Sequence, residues 1–307
     1  MNNIGVKIFC YTKASRIEGS LVAAVFLLIG AWYSSKSFST NLTIISLISV
    51  IALVSSGSLI NYVYDRGLDE KSGKNIDFFN FVSQKEIIRL YILLNVIGLT
   101  LLLYIDIILF AIGIVIFIVF LIYSAPPIRL KTLPPLDCII NGLGFGVLPF
   151  LLGVLLFRKE LNFNMVWYSI IIGMVVISYY LLISFFDIEE DQAFGIKNSC
   201  TKLGKNRVIN VAILLFFIAT IISITAFNLK TILSISLLIC TPAILSIKFT
   251  NNINHIRILI SSVFILWALT ITLLLSMLSH SLIPIFLFII VLLITIQVIN
   301  LYLKEKS

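Results

Sequence analysis

Charge is what this sequence has least of. Only 12% of its 307 residues are charged, against 60% hydrophobic. Soluble domains carry about twice that share of charge, so a soluble enzyme or binding module is excluded. Histidine is nearly missing: His255 and His280 are the only two and lie far apart, which argues against a histidine-based metal centre. Cys10, Cys138, Cys200 and Cys240 show no metal-ligand spacing, and three of them lie in or beside apolar runs. They read as reduced thiols rather than disulfides or zinc ligands. Acidic residues number 14 against 22 basic ones, a net charge of +8. The surplus does not indicate a nucleic-acid partner, because the basic residues stand in short links between apolar runs, as they do in membrane proteins. The apolar runs are continuous in Ile, Leu and Phe and do not alternate with polar residues, which excludes a porin-type barrel.

What remains is apolar length. Ten segments can be counted, near 18–33, 41–62, 87–104, 107–124, 137–156, 166–186, 208–227, 229–247, 256–278 and 282–302. Runs of about 20 apolar residues span a bilayer as helices. The chain reads as an all-α polytopic membrane helical bundle of nine to ten transmembrane helices. It forms one domain over residues 1–307, with 282–302 as a possible extra C-terminal helix. No clear cleavage site follows Lys7, Lys13 and Arg16, so the first segment reads as a retained helix rather than a signal peptide. With the N-terminus inside, 18 of the 22 basic residues fall on the inner side and 4 on the outer. This bias predicts a cytoplasmic N-terminus in the plasma (inner) membrane.

Two links are long, 63–86 and 187–207, and each begins with an acidic motif. Long links among short ones are commonly functional. In the first motif, Asn61, Asp65 and Asp69 are spaced four and four, which on a helix makes one stripe. The second is Asp187-Ile-Glu189-Glu190-Asp191. Seven of the 14 acidic residues lie in these two stretches. Clustered carboxylates at a membrane exit repel one another and resist desolvation unless cations neutralise them. Either motif alone would read as a solvated acidic loop that sets topology. Two at matching exits predict one shared site, where the two acidic clusters, facing across a cavity, would hold two magnesium ions and grip a diphosphate between them. Magnesium binds carboxylates together with substrate phosphates. The two motifs also hint at an internal repeat, since spans two and six both end in a carboxylate pair.

Arg66 and Lys71 follow the first motif, Lys197 the second, and Arg129 and Lys131 the fourth span, all on the inner face. They are candidate ligands for diphosphate oxygens, with Lys71 and Lys131 preferred. Topology alone would also place basic residues there. The stretch Tyr123-Ser-Ala-Pro126-Pro127-Ile-Arg129-Leu-Lys131 stops the fourth span sharply. Asn141-Gly142-Leu-Gly144-Phe-Gly146 offers either close helix packing or room for a long ligand.

Taken together, these stretches resemble the UbiA superfamily of intramembrane polyprenyltransferases. Asn61, Asp65 and Asp69 match its Asn-Asp-x-x-Asp-x-x-x-Asp signature, and Asp187 and Asp191 its Asp-x-x-x-Asp signature. The run Gly195-Ile-Lys197 to Leu203-Gly204 and the Tyr123 to Lys131 stretch are also similar to the family's. The resemblance implies a bundle around a central cavity, magnesium as cofactor, a prenyl diphosphate donor and a lipophilic acceptor. The aspartates Asp65, Asp69, Asp187 and Asp191 would be catalytic as metal ligands, not nucleophiles. Tyr62 departs from the signature, which commonly has Asp there, and the tenth segment exceeds the family's usual nine. Tyr62 is either a vacated ligand position or an aromatic at the lipid interface.

The acceptor is expected among aromatic quinone precursors; the Asp187–Asp191 motif resembles both that of the naphthoate branch and that of the branch that prenylates lycopene. The 123–137 stretch leans toward that branch and toward glycerol-ether enzymes. A terpene cyclase of the same fold, a transporter and a non-catalytic binding protein are the rival readings.

Overall fold

The computed structural model describes residues 3–35, 39–72, 81–157, 162–227, 231–250 and 253–279, together with 283–285 and 289. Its helices are α1 Asn3–Ser15, α2 Ile17–Ser35, α3 Thr40–Ser72, α4 Gln84–Ile105 and α5 Ile107–Ser124. Then come α6 Leu136–Asn141, a π-helical stretch Gly142–Val147, and α7 Leu148–Leu155, which together make one span. The chain continues through α8 Phe163–Ser184, α9 Ile188–Ala193, α10 Ser199–Leu203, α11 Lys205–Phe227, α12 Ile232–Ser246 and α13 Ile253–Ser279. Among the described residues nine helices are long and apolar enough to cross a membrane. The protein is an integral membrane protein. The tenth expected segment, 282–302, lies outside the described residues apart from 283–285 and 289.

The spans are not equivalent. The first two are largely buried inside the protein, at 72% and 78%, whereas those of α4 and α5 are buried at 22% and 33%. Small residues explain the first case. Gly30 on α2 and Gly153 on α7 meet so closely that a Cβ on Gly30 would stand 2.1 Å from the Phe150 carbonyl oxygen. One on Gly153 would stand 2.0 Å from that of Leu27, so no side chain fits at either crossing point. The opposite holds for α4 and α5, where Ile92, Val96, Leu103, Ile107 and Val115 are exposed, as a lipid-facing surface requires. Buried hydroxyls bond between helices, Ser20 with Ser55 at 3.1 Å and Ser178 with the Ala212 carbonyl at 2.8 Å. Phe26 of α2 meets Trp267 of α13, ring centres 5.2 Å apart, so the last described span returns to the first.

Both long links are partly helical among the described residues. Helix α3 runs past the end of its apolar segment to Ser72. At 1.5 Å per residue its 33 residues reach about 50 Å, beyond the ~30 Å hydrocarbon core. Nothing between 63 and 72 stops a helix except Gly67, and Arg66 pairs with Glu70 one turn on, at 2.8 Å. The onset of charge ends the membrane span but not the helix. Helix α4 also starts early, at Gln84, because Ser83 and Glu86 form a capping box. In the second link a 3-10 turn Phe185–Asp187 leads into α9, and Asn198 caps α10. Gly195 and Gly204 take the positive φ values, 68° and 76°, that separate these short pieces.

The glycine-rich stretch resolves toward packing. A Cβ at Gly144 would stand 2.9 Å from the Phe120 ring, and one at Gly146 would stand 2.8 Å from Val176. All four cysteines are free and buried.

Candidate active site

The helical stripe at the end of α3 is real. Asn61 and Asp65, one turn apart, accept from the same ammonium: Lys131 donates to Asn61 Oδ1 at 2.8 Å and to Asp65 Oδ1. Arg129 Nη2 donates to that same Asp65 oxygen at 3.0 Å. Ser124 Oγ, at the end of α5, adds a bond of 3.3 Å to Asn61. The proline-rich stretch therefore folds its two cations onto the first motif. Burial pushes the Lys131 ammonium below its ordinary value, while the charge of Asp65 and its hydrogen bond pull the other way.

Arg129 holds this place with φ 45°, and Arg16, at the α1–α2 junction, has φ 43°. These are the positive-φ residues other than glycine among the described ones. That region is disfavoured for side chains by roughly 1–2 kcal/mol, and such strain gathers at functional sites. Both positions carry a cation beside the acidic motif.

Two cavities meet here. The larger, about 490 Å³, has Asn61 and Asp187 on its wall, the first residue of each motif. Its other polar lining includes Arg16, Glu18, Tyr123 and Tyr180, and its apolar wall Val22, Phe26, Phe120, Phe216 and Trp267. The smaller, about 150 Å³, is bounded by Lys13, Arg16, Asn61, Tyr62, Asp65 and Asp69. Tyr62 thus stands on a pocket wall beside two motif carboxylates and is not a belt aromatic facing lipid.

The second motif is held differently. Asp191 accepts from Asn198 Nδ2 at 2.7 Å. Glu189 turns outward to Lys205 Nζ at 2.5 Å. Behind them lies Asp137, fully buried at the start of α6. Its carboxylate accepts from the Ser199 amide at 2.9 Å, the Ser199 hydroxyl at 2.5 Å and the Tyr180 hydroxyl at 3.2 Å. Asp137 so ties the stretch bearing Arg129 and Lys131 to the short helix that follows the second motif.

Of the expected diphosphate ligands, Lys131 and Arg129 reach the first motif. Arg66 is paired with Glu70, Lys197 is exposed, and the side chain of Lys71 lies outside the described residues. Sequence reasoning missed Lys13, Arg16, Glu18 and Asp137. The first two read as topology signals, and the last two as the first residues of apolar segments. Among the described residues no three His, Cys, Asp or Glu side chains stand close enough to hold an ion. The donor set of Asn61, Asp65, Asp69 and Asp187 is all oxygen, as a hard divalent cation requires, and Asp65 already gathers two cations. In donor chemistry, though not in spacing, the residues suit such an ion.

The chain is thus a helical membrane bundle with acidic residues and an apolar wall around one cavity. The family model of the UbiA prenyltransferase family matches residues 23–255, and the chain belongs to that family. It is a membrane prenyltransferase. No functionally curated protein matches the sequence. Among solved structures, a UbiA homolog from Archaeoglobus fulgidus bound to GPP and Mg2+ is similar, with a TM-score of 0.68 and 22% identity over 85% of this chain and 96% of that one. An apo UbiA homolog from Aeropyrum pernix K1 gives 0.70 and 17% over 84% and 98%. A digeranylgeranylglyceryl phosphate synthase gives 0.63 and 19% over 90% and 99%.

Proposed function

We propose that the protein moves a prenyl group from a prenyl diphosphate to a lipophilic acceptor, with magnesium, at the cytoplasmic side of the plasma membrane. The observation that carries this reading is that Asn61 and Asp187 line one cavity whose deeper wall is apolar. A prenyl chain suits that wall, and a diphosphate suits its charged mouth. The Archaeoglobus homolog was solved with GPP and with DMAPP, each with Mg2+. Asn61, Asp65 and Asp69 on one side, and Asp187 and Asp191 on the other, would hold the magnesium. Bound there, the metal supplies positive charge to the departing diphosphate.

The chain's own residues do the rest. Lys131 and Arg129 give the diphosphate charge-assisted hydrogen bonds once they are shared with it instead of Asp65 alone. Phe120, Phe216 and Trp267 exclude water from the prenyl chain, so the allylic cation meets the acceptor first. The test is incubation of purified protein with labelled prenyl diphosphates and candidate acceptors, with and without magnesium. Magnesium-dependent prenylated acceptor is expected. A cyclic hydrocarbon formed from the donor alone would replace transfer by cyclisation, and an untouched donor would overturn both.

A further inference from the structure

Glu18 stands on the wall of the larger cavity, one residue into α2 and two after the strained Arg16. It is half-buried, and among the described residues its side chain has no ion pair and no side-chain hydrogen-bond partner. The charge that acts on it is that of Arg16, and its own charge acts on Tyr179 of the same wall. Its neighbours along the wall include Val22, Phe26 and Phe145. Besides Arg16 it has the hydrogen bond from its own backbone N–H; a carboxylate held at a membrane helix end without an ion pair costs energy, and such groups mark function. It belongs to neither acidic motif.

Resting on the transferase reading, we infer that Glu18 takes the proton that the acceptor gives up on prenylation, and that this acceptor is neutral, not an aryl carboxylate. In the step, the donor's C1–O bond breaks and its electron pair leaves with the diphosphate. An electron pair of the acceptor forms the new bond to C1. The acceptor's proton passes to the Glu18 carboxylate and then to water as product leaves. Charge sets the acceptor class. Among the described residues that line it, the larger cavity carries two acids, Glu18 and Asp187, and one basic residue, Arg16. Arg16 also borders the smaller pocket with Asp65 and Asp69, where the diphosphate would compete for it. A carboxylated acceptor would add a further negative charge beside Glu18 in a low-dielectric space. A hydroxyl, a phenol or an electron-rich alkene adds none.

The experiment compares wild type, Glu18→Gln and Glu18→Asp with geranylgeranyl diphosphate and magnesium. The neutral probes are a methyl-hydroquinone, a geranylgeranylglycerol ether and lycopene; the acidic probes are 4-hydroxybenzoate and 1,4-dihydroxy-2-naphthoate. Donor binding is measured in parallel by calorimetry without acceptor. Wild type is expected to transfer to a neutral probe at least about tenfold faster than to either acid. Glu18→Gln should lower kcat about 100-fold, the low end for a general base, with donor affinity unchanged within about twofold. Glu18→Asp should retain more rate than Glu18→Gln, which separates proton transfer from a packing role. Preference for an acid, or a Glu18→Gln kcat within twofold of wild type, overturns the inference and leaves the transferase reading standing. So does a bound donor with no product from any probe. A wild type that neither binds nor consumes donor overturns the transferase reading itself.

Discussion

The two acidic helix ends beside the cavity are braced differently. At the end of α3, Asp65 is met by two cations, Lys131 and Arg129, and the first of these is shared with Asn61. At α9, Asp191 is met by a neutral amide, Asn198, and the helix behind it is anchored by Asp137 through hydroxyls and a backbone amide. The first end has its charge neutralised by the protein. At the second, Glu189 pairs with Lys205 and Asp191 is held by a hydrogen bond from Asn198. An incoming metal ion must therefore displace or share cations at the first motif.

Removing either motif's charge should have the largest effect. Asp65→Asn and Asp191→Asn are each expected to lower magnesium-dependent prenyl transfer on the order of 10³-fold while the protein remains folded, since metal-borne charge stabilisation contributes several kcal/mol. Steady-state rates with circular dichroism as the folding control decide it. Near-normal turnover in one of the two would show that only the other motif serves the reaction.

Lys131→Met breaks the asymmetry at its source. Donor affinity should fall about 10- to 100-fold, the range for a lost charge-assisted hydrogen bond. Magnesium binding to the donor-free protein should tighten, because Asn61 and Asp65 lose their competitor. Calorimetry with donor and with metal alone reads both signs. A loss of both affinities would mean that Lys131 holds the motif in shape rather than competing for it.

Asp137→Asn attacks the second brace. A buried carboxylate with three donors becomes an amide that accepts fewer, and a stability loss of about 1–3 kcal/mol is expected, read as a lower unfolding temperature. The half-saturating magnesium concentration should rise too, because α10 and Asn198 no longer hold Asp191. Unchanged magnesium dependence in a destabilised variant would confine Asp137 to the fold.

Tyr62→Asp is the mildest change. Tyr62 borders the smaller pocket with Asp65 and Asp69. A carboxylate there should lower the half-saturating magnesium concentration by a few-fold and destabilise the metal-free protein through added repulsion. An unchanged value in an active variant would mean that the motif is complete with Asn61, Asp65 and Asp69.

The spans were legible because about 20 apolar residues in succession have one outcome in a bilayer. The stripe of Asn61, Asp65 and Asp69 was legible because helical period is local. The folding of Arg129 and Lys131 onto that stripe was not, since it joins residues more than 60 positions apart across the end of the bundle. Glu18 and Asp137 were hidden for another reason. Each is a single acid opening an apolar segment, where composition reads it as the edge of a span. Only the packing shows one on a cavity wall and the other buried among donors.

The most direct test is binding of geranyl diphosphate to the purified, lipid-embedded protein by calorimetry, in magnesium and in EDTA, for wild type, Asp65→Asn and Asp191→Asn. One shared site predicts that wild type binds donor only with magnesium and that both variants lose that binding. Donor binding that persists in EDTA, or survives intact in either variant, would contradict a site built jointly by the two acidic helix ends.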